Sequence, residues 1–401
     1  MFRRLAEAFH YRDFRILWFG AFTSTIGTWM QRIAQSWLVF TLSGSAFYLG
    51  LDAFLGELPI LLFTLIGGVW ADRHDRRRLL LSSQYVQMTC AFVLAGLVYW
   101  ELVRVWHVLA LSFISGCGQA IGGPAYQSML PSLVPKKALP NAIALNSIQF
   151  NLARMVGPAL AAVTLATLGS AACFTVNGLS FLVVIVAIFA LRVTHAPPAT
   201  RHSMIQEMRH GLSYVKNEER LVALTILAFF TTFLGLPLLT LLPVFAQDIF
   251  RRGVEQYSQM MIFSGAGAVA GALVVAWLGR FHHMGLALLL VQVLFGALTV
   301  AFALSRVLAL SHVLLLLGGA ALIVVFALSA SLVQLIAPDH MRGRVMSIYN
   351  VAFRGGMPLG SFVSGSIASM TSAPLVLSVN GVLLAAVAVY FLTRGKGVRE
   401  A

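Results

Sequence analysis

Charge is scarce in this 401-residue sequence: Asp, Glu, Lys and Arg make up 10% of it, and only 14 side chains are acidic against 28 basic. A soluble domain is about a quarter charged, so this chain lacks the material for a water-facing surface. Hydrophobic residues supply 59% of it and the mean hydropathy is +0.85, which places it among polytopic membrane proteins. Cysteine is nearly absent. Cys90, Cys117 and Cys173 each fall within an apolar stretch and share no metal-ligand spacing, so they are expected as packing residues, with no disulfide framework and no metal site. No P-loop lysine motif, H-E-x-x-H, G-x-S-x-G or paired-aspartate helix motif occurs, which argues against ATP hydrolysis and against an enzyme. Gly116-x-Gly118 with Gly122-Gly123-Pro124 has no preceding strand and is expected as helix packing. Residues 1–15 lack the short apolar core and cleavage site of a signal peptide, so the first span is expected to be retained.

What the sequence has instead is a succession of apolar stretches of about 20 residues, the length that crosses hydrocarbon as a helix. Twelve are expected, at 14–42, 46–71, 79–100, 105–133, 141–168, 170–193, 221–246, 256–279, 284–305, 309–336, 344–371 and 373–393. The basic residues between them are unevenly divided. Of 28, 21 fall on the side of both termini, four on the other (Arg104, Arg251, Arg252 and Arg306), and Arg32, Arg154 and Arg354 fall inside spans. This bias places both termini in the cytoplasm and makes the +14 charge a topology signal rather than a nucleic-acid footprint.

A shift of 203 residues aligns the second half of the chain with the first. Val176-Asn177-Gly178 then meets Val379-Asn380-Gly381, Pro135 meets Pro338, Phe150 meets Phe353, Gly157 meets Gly360, and Gly68 meets Gly271. The expected architecture is all-α, with two parallel six-helix pseudo-repeats at 1–193 and 221–401. Residues 194–220 form the linker. Ile205, Met208, Leu212 and Val215 make one apolar stripe there, suited either to the membrane surface or to packing on the bundle.

The run Gly68-x-x-x-Asp72-Arg73-x-x-Arg76-Arg77 concentrates charge between the second and third spans and resembles motif A of the major facilitator superfamily. Trp70 stands where that family usually has leucine and Asp75 where it has glycine. The resemblance implies a conformational latch, with Gly68 allowing close helix approach and Asp72 held near the start of the eleventh helix, around Gly343, with Arg73 and Arg77 as its partners. Ala144, Ala153, Gly157-Pro158, Ala161 and Ala162 fall on the spacing of the superfamily's antiporter motif, with alanine for four glycines. Gly157 and Pro158 would there serve helix packing. Leu139 to Ser147, Asn151 to Pro158, and Arg342 to Tyr349 followed by Phe353 to Pro358 resemble the branch that includes enterobactin exporters and macrolide efflux proteins.

That resemblance implies a proton-coupled exporter of an amphiphilic small molecule, a drug or siderophore, working by alternating access as a monomer in the bacterial inner membrane. A lipid or lysolipid flippase, or a small-solute importer, is the alternative in the same fold. No cofactor is expected beyond the coupling proton, and the partners are a small-molecule substrate, protons and the bilayer. Ionisable side chains within spans are functional candidates by default. Glu57, about eleven residues into the second span, is the first candidate for the proton, with Asp52 nearer the outer surface. Arg32 could pair with either acid, and could equally form a fixed brace with it. Arg154 and Arg354 are candidates to hold an anionic substrate or to balance Glu57, and Gln31, Gln35, Gln149, Asn151 and Asn350 could add hydrogen bonds to the cavity. Asn177 and Asn380 are expected as inter-helix braces.

Overall fold

The computed structural model describes residues 7–192, 204–338, 341–394 and 396–399; at 64–73, 151, 155, 204–210, 394 and 396 it describes the backbone alone. Every long element is a helix: α1 Arg12–Ser43, α2 Ala46–Arg73, α3 Arg76–Tyr99, α4 Val105–Met129, α5 Leu139–Phe189, α6 Met204–Asn217, α7 Glu219–Gly235, α8 Gly253–Leu278, α9 Met284–Leu304, α10 Leu308–Ile336, α11 Arg342–Met370 and α12 Ala373–Arg394. Among the described residues nine spans are long and apolar enough to cross a membrane. Two long helices are not among the nine, α1 and α11, and these carry Gln31, Arg32, Gln35, Asn350 and Arg354. A helix rich in polar side chains at membrane depth must turn them toward protein or water.

At 51 residues α5 would be about 77 Å long at 1.5 Å per residue, far beyond a hydrocarbon core of about 30 Å. Gly169 divides it with φ 78° and ψ −178°, a conformation closed to other residues without strain. The two arms, 139–168 and 170–189, fall where separate spans are expected. The stretch expected as a span at 221–246 lies within one apolar helical span, Glu219–Ile249, whose first regular helix ends at Gly235. Pro237 and Pro243 remove amide donors beyond it, and the span continues as short α-helical pieces, Pro237–Thr240 and Leu242–Val244, ending in a π-helical turn, Phe245–Ile249.

The chain forms two compact units, one of residues 1–43 and 55–201, the other of 44–54 and 202–401. In the first, α1 runs between the two arms of α5. Gly20 abuts Val184 and Ala187, Gly27 abuts Asn177 and Ser180, and Gly157 abuts Ile26 and the Cβ of Trp29. These side-chain-free positions let a helix with few large apolar groups reach the middle of its unit. Gly116 meets the Gly56 carbonyl and Gly118 meets Ser83 and Gln87, so the glycine cluster of α4 is packing against α2 and α3. One end of the unit is filled by Phe14, Leu17, Leu80, Met129, Phe181 and Ile188.

In the second unit, Gly356 and Gly360 of α11 lie against Phe229, Thr232 and Phe233 of α7, and Gly271 of α8 meets Ala320 of α10. Leu221, Leu224, Leu288, Leu328, Leu332 and Tyr349 form its core. The linker helix α6 joins that core through Val215, which is 4% exposed, while Leu212 is 43% exposed. Gly211 sits against Arg344 of α11. Of the described part of the linker stripe, Val215 packs on the bundle and Leu212 stays exposed; the side chains of Ile205 and Met208 lie outside the described residues. Large apolar groups remain exposed on the outside, Trp277 at 85% and Val163 at 65% among them, as a lipid-facing surface requires.

Gly116→Val should overpack the α2 contact, because a Cβ there already lies 3.1 Å from Pro59 and closer still to backbone. A loss of about 1–3 kcal/mol is expected, read as a lower unfolding midpoint in detergent. Gly123→Ala meets nothing within 4 Å and should leave the midpoint unchanged.

Candidate functional site

Depth along the helices decides which polar side chains can meet. Arg32 stands eleven residues before the end of α1 at Ser43, and Glu57 eleven after the start of α2 at Ala46, so both lie about 16 Å from the turn joining the helices. Their side chains meet there, with Arg32 Nη2 donating to Glu57 Oε1 at 2.8 Å. Asp52 is only six residues in and belongs to the second unit, where it is buried at 7% exposure. Of the two acids expected for Arg32, Glu57 takes it. The pair is unequally placed, the arginine side chain 46% exposed and the carboxylate 17%. An arginine this exposed at membrane depth must face water rather than lipid.

The same counting brings in Arg154. It stands fourteen residues before Leu168, the end of the first arm of α5, and Trp29 fourteen before Ser43. Because successive helices alternate direction, both ends lie on one side, and the two residues come level. The indole of Trp29 is flanked by two guanidiniums, Arg32 at 5.2 Å and Arg154 at 5.6 Å from its centroid, with Phe150 edge-on at 6.0 Å. Gly157, by abutting the Cβ of Trp29, sets the ring's position.

Arg154 makes no hydrogen bond or ion pair among the described residues. Arg154 is half-buried, and its stacking on Trp29 is worth about 0.5–2 kcal/mol. Its guanidinium donors therefore have no acceptor among the described residues. Two arginines against one carboxylate give the cluster one excess positive charge.

A chain of amides runs beside this cluster. Ser180 Oγ donates to Asn177 Oδ1 at 3.2 Å, Asn177 Nδ2 to Gln31 Oε1 at 2.6 Å, Gln31 Nε2 to Gln35 Oε1 at 3.3 Å, and Gln35 Nε2 to Ser112 Oγ at 2.8 Å. Gln149 Nε2 donates to Thr25 Oγ1 at 2.9 Å. Gln31, Gln35 and Gln149 thus tie α1 to α4 and to both arms of α5, each bond worth about 1 kcal/mol in hydrocarbon. Asn177 braces α5 to α1, and Asn380 donates to Ser364 Oγ at 3.0 Å, bracing α12 to α11. In the second unit, Arg354 and Asn350 are exposed on α11, with no side-chain hydrogen bond or ion pair among the described residues. The Asn151 side chain lies outside the described residues.

In the charged turn, the side chains of Gly68, Asp72 and Arg73 lie outside the described residues. Arg77 donates to the Phe189 carbonyl at 3.0 Å and lies 5.9 Å over its ring, and Arg76 donates to the Ser128 carbonyl at 3.0 Å. Both cations sit at helix C-terminal ends, where the dipole and unpaired carbonyls favour them. Asp75, the departure from the motif's glycine, caps α3 by accepting from the Arg77 amide at 2.9 Å. Sequence reasoning passed over Trp29, although its place one turn before Arg32 on α1 already puts both on one helix face.

Residues 6–397 match the family of transmembrane secretion effectors. The staphyloferrin A transporter of Staphylococcus aureus is 26% identical over 93% of this chain and 94% of its own length. Macrolide efflux protein A of Streptococcus pyogenes is 23% identical, covering 94% of each chain, and the multidrug efflux pump Tap of Mycolicibacterium fortuitum is 28% identical over the same shares. Among solved structures, a bacterial homologue of the human lysosomal transporter Spinster superposes with a TM-score of 0.75 at 15% identity, over 95% of this chain and 96% of that one. The nucleoside transporter NupG gives 0.74 at 16%, over 96% and 99%.

A double-mutant cycle of Arg32→Gln and Glu57→Gln, read as unfolding free energy in detergent, should give a coupling of order 1 kcal/mol, since the arginine is half exposed. Additive losses would show that the two side chains do not meet.

Proposed function

Because the chain belongs to the transmembrane secretion effectors, a family of major facilitator transporters, we propose that it exports an amphiphilic small molecule by alternating access, coupled to proton entry. The relatives of efflux and siderophore transport support the cargo class. The observation that carries the site assignment is the cluster on α1: a carboxylate and two guanidiniums held about an indole at membrane depth. Glu57 is the proton carrier in this reading. Its ionised form is held by Arg32, and protonation breaks the ion pair that links α1 to α2 at that depth, so the equilibrium between conformations follows proton occupancy. Arg154, stacked on an indole, is the counter-charge for an acidic group on the cargo, and Trp29 offers a flat apolar face beside it.

The finer architecture proposed is twelve spans in two six-helix repeats with both termini cytoplasmic, acting as a monomer in the inner membrane of a bacterium. Its support is a matched contact: Gly157 lies against Met30 and Gly360 against Phe233, and the 203-residue shift carries each member of the first pair onto the second. Asp72 is proposed as the latch of the charged turn, with Gly68 and Arg73 beside it.

In inverted vesicles, dissipating the pH gradient should stop uptake of a fluorescent amphiphile, and Glu57→Gln should abolish gradient-driven transport in a folded protein. Normal transport by Glu57→Gln removes the coupling assignment. Arg154→Gln should weaken binding of an acidic amphiphile about tenfold and leave that of its ester unchanged. Asp72→Asn should slow turnover while preserving cargo binding; unchanged turnover would leave that turn a topological signal alone.

A further inference from the structure

A cavity of about 600 Å³ opens in the second unit where α7 begins, α8 turns into α9, and α10 ends. It is far along the chain from the Trp29 cluster and shares no residue with it. Arg220 and Arg280 line it together with Glu218, and Phe281, Leu335 and Ile336 supply apolar wall. Neither arginine has an ion pair or side-chain hydrogen bond among the described residues. Gly397 lies close to the stem of Arg220: a Cβ added there would be 2.9 Å from its Cγ. Leu335 remains 42% exposed and Phe281 half-buried.

Two guanidinium forks with no ion pair among the described residues match phosphate geometry, and two cations with the one carboxylate of Glu218 favour a ligand of net negative charge. The apolar wall asks for hydrocarbon on the same ligand. Arg220 and Arg280 both fall at the ends of apolar spans and on the side that the charge bias assigns to the termini. That is the level where a bilayer's headgroups give way to its chains, and basic pockets between helix ends there suit anionic lipid headgroups. The volume is that of a small-molecule site, room for a headgroup and glycerol rather than a whole lipid.

We propose that this cavity is a binding site for an anionic phospholipid, its phosphate shared by Arg220 and Arg280 and the start of an acyl chain against Phe281, Leu335 and Ile336. Inorganic phosphate shares the headgroup chemistry but not the chain. Phosphatidylethanolamine shares both but carries an ammonium that the arginines repel.

The test is thermal unfolding of the purified full chain in detergent, titrated separately with phosphatidylglycerol, phosphatidylethanolamine and inorganic phosphate. Phosphatidylglycerol should raise the midpoint of the wild type, with the other two having little effect. The Arg220→Gln/Arg280→Gln variant should require roughly tenfold more phosphatidylglycerol for the same shift. If the double variant does not fold, Leu335→Gln, at an exposed position, is read in its place, with retained phosphatidylglycerol counted by native mass spectrometry; retention should fall. No shift with phosphatidylglycerol, an equal shift with phosphatidylethanolamine, a shift reproduced by inorganic phosphate, or an undiminished response in the variants would each overturn the proposal.

Discussion

Hydrocarbon supplies no hydrogen-bond partner, and every polar side chain placed in it must find one in protein or in a water-filled space. The interior of the first unit follows from that constraint. Helix α1 carries Thr25, Gln31, Arg32 and Gln35 to membrane depth, and each meets a partner on α2, α4 or an arm of α5. Those meetings require backbones to come close, and Gly20, Gly27 and Gly157 provide the approach. Small residues and polar residues on these helices are therefore one device: the first set the distance at which the second can bond.

Arg154 departs from this rule, since among the described residues its cationic group is met by the face of Trp29 and by no acceptor. Arg154 is half-buried, and a stacked ring recovers only part of what a guanidinium loses on leaving water. The neighbouring Arg32–Glu57 pair is complete by itself, which suits a group whose protonation changes a link between helices. The cluster thus places an ion-paired guanidinium and one without an acceptor among the described residues against a single indole.

The charged turn shows a division of labour that the motif alone conceals. Arg76 and Arg77 close the C-terminal ends of α4 and α5, and Asp75 caps α3. Their positive charge also belongs to the uneven division of basic residues along the sequence. The excess of arginine over lysine here is in keeping with carbonyl and ring contacts, which a forked planar cation makes better than an ammonium.

Composition by itself determined the membrane class, because a chain with 10% charge cannot cover itself in water. Span positions followed from apolar length, and the break at Gly169 lay where two spans were expected to divide. Apolar length also identified the span at Glu219–Ile249, which Pro237 and Pro243 divide into short helical pieces without ending it. Residue counting fixed the depth of Arg32, Glu57, Arg154 and Trp29, since rise per residue in a helix is constant. What counting could not supply was azimuth. Two residues at equal depth meet only if their helices are rotated to face one another, and that rotation is set by contacts such as Gly157 on Trp29 and Gly116 on Gly56, made by residues far apart in the chain. Tertiary structure alone therefore decided that Arg32 pairs with Glu57, that Arg154 goes to a tryptophan, and that Arg77 closes a helix end.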